Sequence, residues 1–245
     1  MYKPNRRHFL KISALMGASS AAAIAGSSEH SGRPSEDRKA MLIDTTVCLG
    51  CRKCEWACQN AHEDVTSPLS SFDDRSVFNQ TRRPDNTSLT VVNRYPRSEN
   101  GSSPTYVKVQ CMHCDYPSCV SACIVGAFTK RENGAVVWDT EKCIGCRYCM
   151  VACPFQIPSF EYSKAIDPEI VKCDFCVERT STGHLPACVA MCPVEALTFG
   201  TRSEIISIAR AKIRRNPDRY IDYVYGENDA GGTSCLYLAG RDFSE

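Results

Sequence analysis

The apolar residues of this chain are gathered in short runs, several of which lead straight into cysteine. LIDTTVCLGC (42–51) and VWDTEKCIGC (137–146) share one pattern: an apolar pair, Asp-Thr, two residues, then Cys-apolar-Gly-Cys. VKVQCMHC (107–114) and EIVKCDFC (169–176) share a second, an apolar-rich segment running into C-x2-C. The order along the chain is A-B-A-B, the mark of an internally duplicated module. Each repeat predicts a short strand, a loop wrapped around something, and a helix entered at the last cysteine. The polar stretch 61–105 interrupts the first pair and holds one predicted strand, Leu89–Asn93. SEIISIARAKIRR (203–215) spaces its apolar residues as one amphipathic helix that ends before Pro217. Tyr220–Tyr225 and Ser234–Leu238 read as two strands of a hairpin joined through GENDAGG. Short strands mixed with short helices predict an α+β fold.

Charge adds a division at the N-terminus. The 245 residues carry a formal net charge of +1, yet residues 1–25 hold Lys3, Arg6, Arg7 and Lys11 and no acid, so the remainder carries −3. With no basic tract elsewhere, nucleic-acid binding is set aside. Asn5-Arg6-Arg7-His8-Phe9-Leu10-Lys11 precedes ISALMGASSAAAIAG, a weakly apolar run with a small-residue cleavage site at Ala23-Ile24-Ala25. This order resembles a twin-arginine export signal over residues 1–25, followed by a linker over 26–40, and it implies a periplasmic location. That route carries proteins already folded. The run is shorter than the roughly 20 residues a bilayer span needs. No later stretch looks like a membrane helix, so any membrane contact is expected through a partner.

Sixteen of the seventeen cysteines fall into four groups. Group one is Cys48, Cys51, Cys54 and Cys58; group two is Cys111, Cys114, Cys119 and Cys123. Group three is Cys143, Cys146, Cys149 and Cys153, followed by Pro154; group four is Cys173, Cys176, Cys188 and Cys192, followed by Pro193. Disulfide frameworks rarely repeat C-x2-C-x2-C-x3-C-P. Four-thiolate zinc sites call for C-x2-C pairs but not for a third cysteine three residues on. A C-x2-C-x2-C loop curls three thiolates onto one cubane, and the fourth cysteine serves a neighbouring cluster, as in two-cluster bacterial ferredoxins. Gly50 and Gly145 give the loops positive φ and let amides approach cluster sulfides. The sixteen cysteines are therefore the candidate iron ligands of four [4Fe–4S] clusters, each loaded site adding about two negative charges. Groups two and three, and groups three and four, are both separated by nineteen residues. Spacing alone leaves open which groups share clusters.

TYVKVQCMHCDYPSCVSAC (105–123), KCIGCRYCMVACPFQIPSFEY (142–162), LPACVAMCPVEALTFGTRSEII (185–206) and YGENDAGGTSCLYLAG (225–240) carry a resemblance. They are similar to the four-cluster iron–sulfur subunits of hydrogenase-2-type enzymes and of formate dehydrogenase, DMSO reductase and nitrite or polysulfide reductase systems. The resemblance implies two interleaved bacterial-ferredoxin-like modules, one over 41–60 and 160–200 and the other over 106–159. An insertion over 61–105 and a C-terminal helix and hairpin over 201–245 complete the chain. It implies a nested pairing: Cys48, Cys51 and Cys54 with Cys192; Cys173, Cys176 and Cys188 with Cys58; Cys111, Cys114 and Cys119 with Cys153; Cys143, Cys146 and Cys149 with Cys123. The chain stops at Glu245, where the hydrogenase type continues into a membrane anchor, so docking on a separate membrane subunit is expected.

The implied role is electron transfer, not catalysis by the chain alone. Single electrons would pass between a catalytic subunit and a quinone-reactive integral-membrane subunit of an exported respiratory complex. A diffusing periplasmic polyferredoxin is the alternative. Arg52, Lys53, Arg147 and Lys172 are expected either to offset cluster charge or to be solvated surface. Trp56, Tyr148 and Phe175 are expected to shield clusters from water. His113 and His184 lie in the loops, and Cys235 is expected to be a buried small residue.

Overall fold

The computed structural model describes residues 35, 38–62, 67–96, 103–164 and 168–243. The export-signal residues 1–25 and most of the linker lie outside them. A three-stranded sheet sits at the centre, with β1 (Lys39–Asp44) flanked by β8 (Leu197–Thr201) and β9 (Cys235–Leu238). β1 runs antiparallel to β8, with Met41 opposite Phe199, and parallel to β9, with Met41 opposite Cys235. It is buried on both faces, which is why it reads as a continuous apolar run and not as an alternation. Ala40 and Leu42 face Ile205, Ala209 and Ile213, while Met41 and Ile43 face Ala135, Val137, Phe175 and Leu197. Fully burying a side chain such as Leu42 or Ile43 contributes about 1.5–3 kcal/mol.

The first of these faces is closed by α6 (Arg202–Arg215). Its buried residues, Ile205, Ala209 and Ile213, recur every four positions along one stripe. Thr201 and Glu204 form a reciprocal capping box at its start, and Lys212, Arg214 and Arg215 meet the negative end of its dipole.

The remaining strands form pairs around the cysteine groups. β2 (Val91–Tyr95) pairs antiparallel with β3 (Thr105–Val109), placing the strand expected at Leu89–Asn93 two residues later. β4 (Phe128–Lys130), leaving group two, pairs with β5 (Val136–Trp138), which enters group three. In the same way β8 leaves group four and pairs with β1, which enters group one. β6 (Ser159–Phe160) and β7 (Ile170–Val171) join groups three and four.

Two expectations are corrected. The C-terminal hairpin forms only in part: residues 220–225 make no strand, but Ile221 donates to the Ala239 carbonyl and Tyr225 bridges Tyr237, while the principal partner of β9 is β1. Tyr220 and Val224 are buried in the core beneath α6 together with Leu236 and Leu238 of β9. The helices also begin earlier than expected. α1 (Lys53–His62), α2 (Ser118–Ser121), α3 (Tyr148–Ala152) and α5 (Ala187–Ala190) each carry the third cysteine of a group, and the fourth lies at or beyond the end of the last three. Cys153, before Pro154, leaves the helical region (φ −76°, ψ 114°) and ends α3 after a single turn; α5, as short, ends at Ala190 before Cys192. α4 (Val177–Ser181) lies inside the long gap of group four.

The insertion is anchored, not loose. Glu55, 4% exposed, accepts from Arg52, from Arg82 and from the Val92 amide at 2.6 Å. Arg52 reaches on to the carbonyls of Phe72 and Asp74, and Trp56 Nε1 donates to Ser67 at 2.8 Å. These bonds fold residues 67–82 over the group-one loop.

Candidate metal centre

Groups one and three are built by the same local device. β1 ends at Asp44, whose carboxylate accepts from the Thr46 amide at 3.1 Å; after β5, Asp139 accepts from the Glu141 amide at 3.1 Å. Each Asx turn reverses the chain into its C-x-G-C loop. Gly50 and Gly145 then take φ of 64° and 66°, followed by Arg52 and Arg147 at 61° and 63°. A Cβ on Gly50 would stand 2.3 Å from the Tyr106 ring, so glycine is required there. Groups two and four wind similarly through His113 (φ 48°) and through Phe175 and Cys176 (68° and 49°). For a non-glycine residue the left-handed region costs about 1–2 kcal/mol. Five such residues inside four C-x2-C loops mark strain held at a functional site.

All seventeen cysteines are free thiols. Those that perturb one another fall into four neighbourhoods. Burial, then Cys51 and Cys192, push the Cys48 thiol up to about 11. Cys48, Cys51, Cys54 and Cys192 line one cavity, walled by Ile43, Val92 and Leu197. Cys188 is likewise pushed up to about 11, by burial and by Cys58 and Cys176. Cys173 lies well above the usual thiol range, chiefly through burial and through Cys58. Cys114 and Cys119 reach about 12, through burial and through Cys111 and Cys153. Cys149 reaches about 11, through burial and through Cys143, Cys146 and Cys123. Electrostatic influence also links neighbourhoods, Cys54 with Cys188 and Cys173 with Cys111.

This is the chemistry of a metal-binding thiol set. Burial and mutual repulsion favour the protonated form of Cys48, Cys54, Cys114, Cys119, Cys149, Cys173 and Cys188, and a metal cluster reverses that balance by taking thiols as thiolates with release of protons. Three thiols from one loop and one from another fit a [4Fe–4S] cubane.

The surroundings divide the remaining candidates. Arg52 and Lys172 are buried; Arg147 is exposed and lies 5.2 Å from the Phe160 ring centroid; Lys53 is half-buried. Lys172 donates to the carbonyls of Val136 and Cys173. Phe175 is buried and Trp56 is packed under the insertion, but Tyr148 is 58% exposed and shields nothing. His184 is exposed, whereas His113 is fully buried, stacked on Phe175 at 4.4 Å and accepting from the Val136 amide through Nδ1. Burial, then Lys172 and Lys130, hold His113 well below the usual imidazole range, so it is neutral. Cys235 is fully buried, and its Sγ donates to the Cys111 carbonyl.

Sequence reasoning missed two groups. His62, one turn after Cys58, bonds to the Cys58 carbonyl through Nδ1 and to Asp174 at 3.0 Å through Nε2, which raises its pKa. Its spacing from Cys58 was the available signal. Lys108 is 2% exposed and lines the group-one cavity.

Comparison with known proteins places this geometry. Residues 102–202 match the family described as a 4Fe-4S dicluster domain. A protein of Nitratidesulfovibrio vulgaris is 48% identical over 244 residues, 98% of this chain; the chain spans only 65% of that relative's length. A hydrogenase-2 operon protein of Escherichia coli O157:H7 is 35% identical over 270 residues, covering 96% of this chain and 81% of that protein. The iron–sulfur subunit of the nitrate-inducible formate dehydrogenase of Escherichia coli K12 is 34% identical over 206 residues, 81% of this chain and 67% of the subunit. The chain belongs to the family of iron–sulfur subunits of oxidoreductases, which transfer electrons and are not catalytic alone, and its residues 102–202 carry the 4Fe-4S dicluster domain.

Proposed function

We propose that the chain is an electron relay with four [4Fe–4S] clusters, passing single electrons between a catalytic subunit and a quinone-reactive membrane subunit. Cys48, Cys51, Cys54 and Cys192 hold the first cluster, and Cys58, Cys173, Cys176 and Cys188 the second. Cys111, Cys114, Cys119 and Cys153 hold the third, and Cys123, Cys143, Cys146 and Cys149 the fourth. The observation that carries this reading is the succession of four thiol neighbourhoods, each drawing its members from two groups. The electrostatic coupling of Cys54 with Cys188 and of Cys173 with Cys111 favours an order from first to third, and the shared group two and group three thiols extend it to the fourth.

When bound, each cluster supplies a one-electron couple. The residues of the chain hold the sites, exclude water from them and supply compensating charge. The strand pairs β1–β8 and β4–β5 suggest two ferredoxin-like modules, over 41–60 with 160–200 and over 106–159. Residues 5–11 support twin-arginine export to the periplasm. Among the described residues no helix is long and apolar enough to cross a membrane, which is consistent with membrane contact through a partner subunit.

Iron and acid-labile sulfide in protein purified without oxygen test the proposal. Four cubanes require about sixteen of each per chain; about eight, or zinc in place of iron, refutes it. Cys153→Ser tests the pairing. It should alter the spectrum of the site that Cys114→Ser alters, not the one that Cys146→Ser alters. Purification always without a membrane component would argue for a free carrier.

A further inference from the structure

Burying an ammonium group costs several kcal/mol unless a negative charge stands beside it. Lys108, in β3, is 2% exposed, and among the described residues it makes no ion pair with a carboxylate. The buried carboxylates are committed elsewhere: Glu55 to Arg52 and Arg82, Asp115 to Arg38, Asp44 to Lys212. The Lys108 ammonium donates to Gln110 Oε1 at 2.6 Å, a neutral amide that offsets none of its charge. Its backbone is held in place, since Tyr237 donates to the Lys108 carbonyl at 2.8 Å and Val92 lies opposite in the β2–β3 ladder.

What surrounds this charge is sulfur. Lys108 lines the cavity of Cys48, Cys51, Cys54 and Cys192, and its charge acts on Cys54, Cys58, Cys173 and Cys188. Those four thiols belong to the first and second cluster sites. On the four-cluster reading, we propose that Lys108 is a shared counter-charge for those two clusters and raises the reduction potential of both. Reduction adds negative charge at a site already anionic, and a fixed cation beside it favours the reduced form. The thiols on which its charge acts most strongly all belong to the first two sites, so the potentials of the third and fourth should be little affected.

The test is an EPR-monitored redox titration of the full chain purified without oxygen, with iron and sulfide measured on the same samples. Lys108→Met keeps the length of the side chain and removes its charge. Two of the four transitions should move to more negative potential by at least a tenfold change in the oxidised-to-reduced ratio, 59 mV for one electron. The other two should stay in place, and Lys108→Arg should restore the wild-type values. A loaded Lys108→Met protein with four unmoved transitions overturns the inference. Iron lost from Lys108→Met but kept in Lys108→Arg supports it; iron lost from both overturns it in favour of packing. The wild-type content separates the two readings. A content well below sixteen overturns the relay and this inference with it, whereas full content with unmoved transitions overturns only the role of Lys108.

Discussion

Glu55→Gln is the most informative single change to the scaffold. The Glu55 carboxylate receives Arg52 Nε and Nη2 at 3.1 and 3.0 Å, Arg82 Nη2 at 2.6 Å and the Val92 amide at 2.6 Å. Side-chain exposures of 3% for Glu55, 7% for Arg52 and 19% for Arg82 place the ion triad largely out of water, so screening reduces it little. Gln keeps the shape and one acceptor but leaves two mostly buried guanidinium groups without a counter-ion. Breaking a buried pair in this way costs about 3–5 kcal/mol. At 2–4 °C per kcal/mol for a chain of this size, the thermal midpoint should fall by about 6–20 °C. Circular dichroism followed together with visible absorbance measures it under anaerobic conditions. The absorbance should be lost first, because the same triad holds residues 67–82 over the group-one thiols. A midpoint within about 2 °C of wild type would refute the reasoning. In a double-mutant cycle with Arg82→Met, a coupling under about 0.5 kcal/mol would do the same.

Other expectations follow from the core and the helix ends. Leu42→Ala, on the buried face of β1 against α6, should lower stability by about 2–5 kcal/mol in chemical denaturation. Thr201→Ala removes the capping box of α6 and should cost about 0.5–2 kcal/mol, with Thr201→Ser restoring most of it. Burial opposes ionisation of Asp44, but bonds from Lys212, Thr46 and Tyr220 prevail and hold its carboxyl below the usual range. A depressed folded pKa stabilises above the unfolded value and is lost as pH falls through the folded one. The gap in stability between wild type and Asp44→Asn should therefore be widest near neutrality and close below about pH 4; a gap that grew in acid would contradict the assignment.

The four cysteine groups were legible because three of them pack their chemistry into 11 to 13 residues and the fourth into 20. So was α6, where three signals coincide: Thr-x-x-Glu at the start, apolar spacing along the middle, basic residues before Pro217. The strand partners were less legible. CLYL names a buried strand but not its neighbours: β9 pairs with β1 along four residues and also bonds to the segment around Tyr225. The one-turn helices at the third cysteines are too short to show a period. Lys108 was hidden for another reason: a lysine reads as a surface residue unless its burial is known. Glu55 gave no sequence signal, since its partner Arg82 is 27 positions away.

The place of β9 has a consequence for how the chain comes into being. β1 starts at residue 39, yet its parallel neighbour starts at residue 235, across nearly the whole polypeptide. At ribosomal rates of 5–20 residues per second, about 10–40 s separate the two strands during synthesis. Throughout that interval the central sheet lacks one of its edges. Such long-range closure is slow and leaves strand edges open to wrong pairing. Completion of the central sheet thus waits for the last moments of synthesis, and the C-terminal strand sets when it can close.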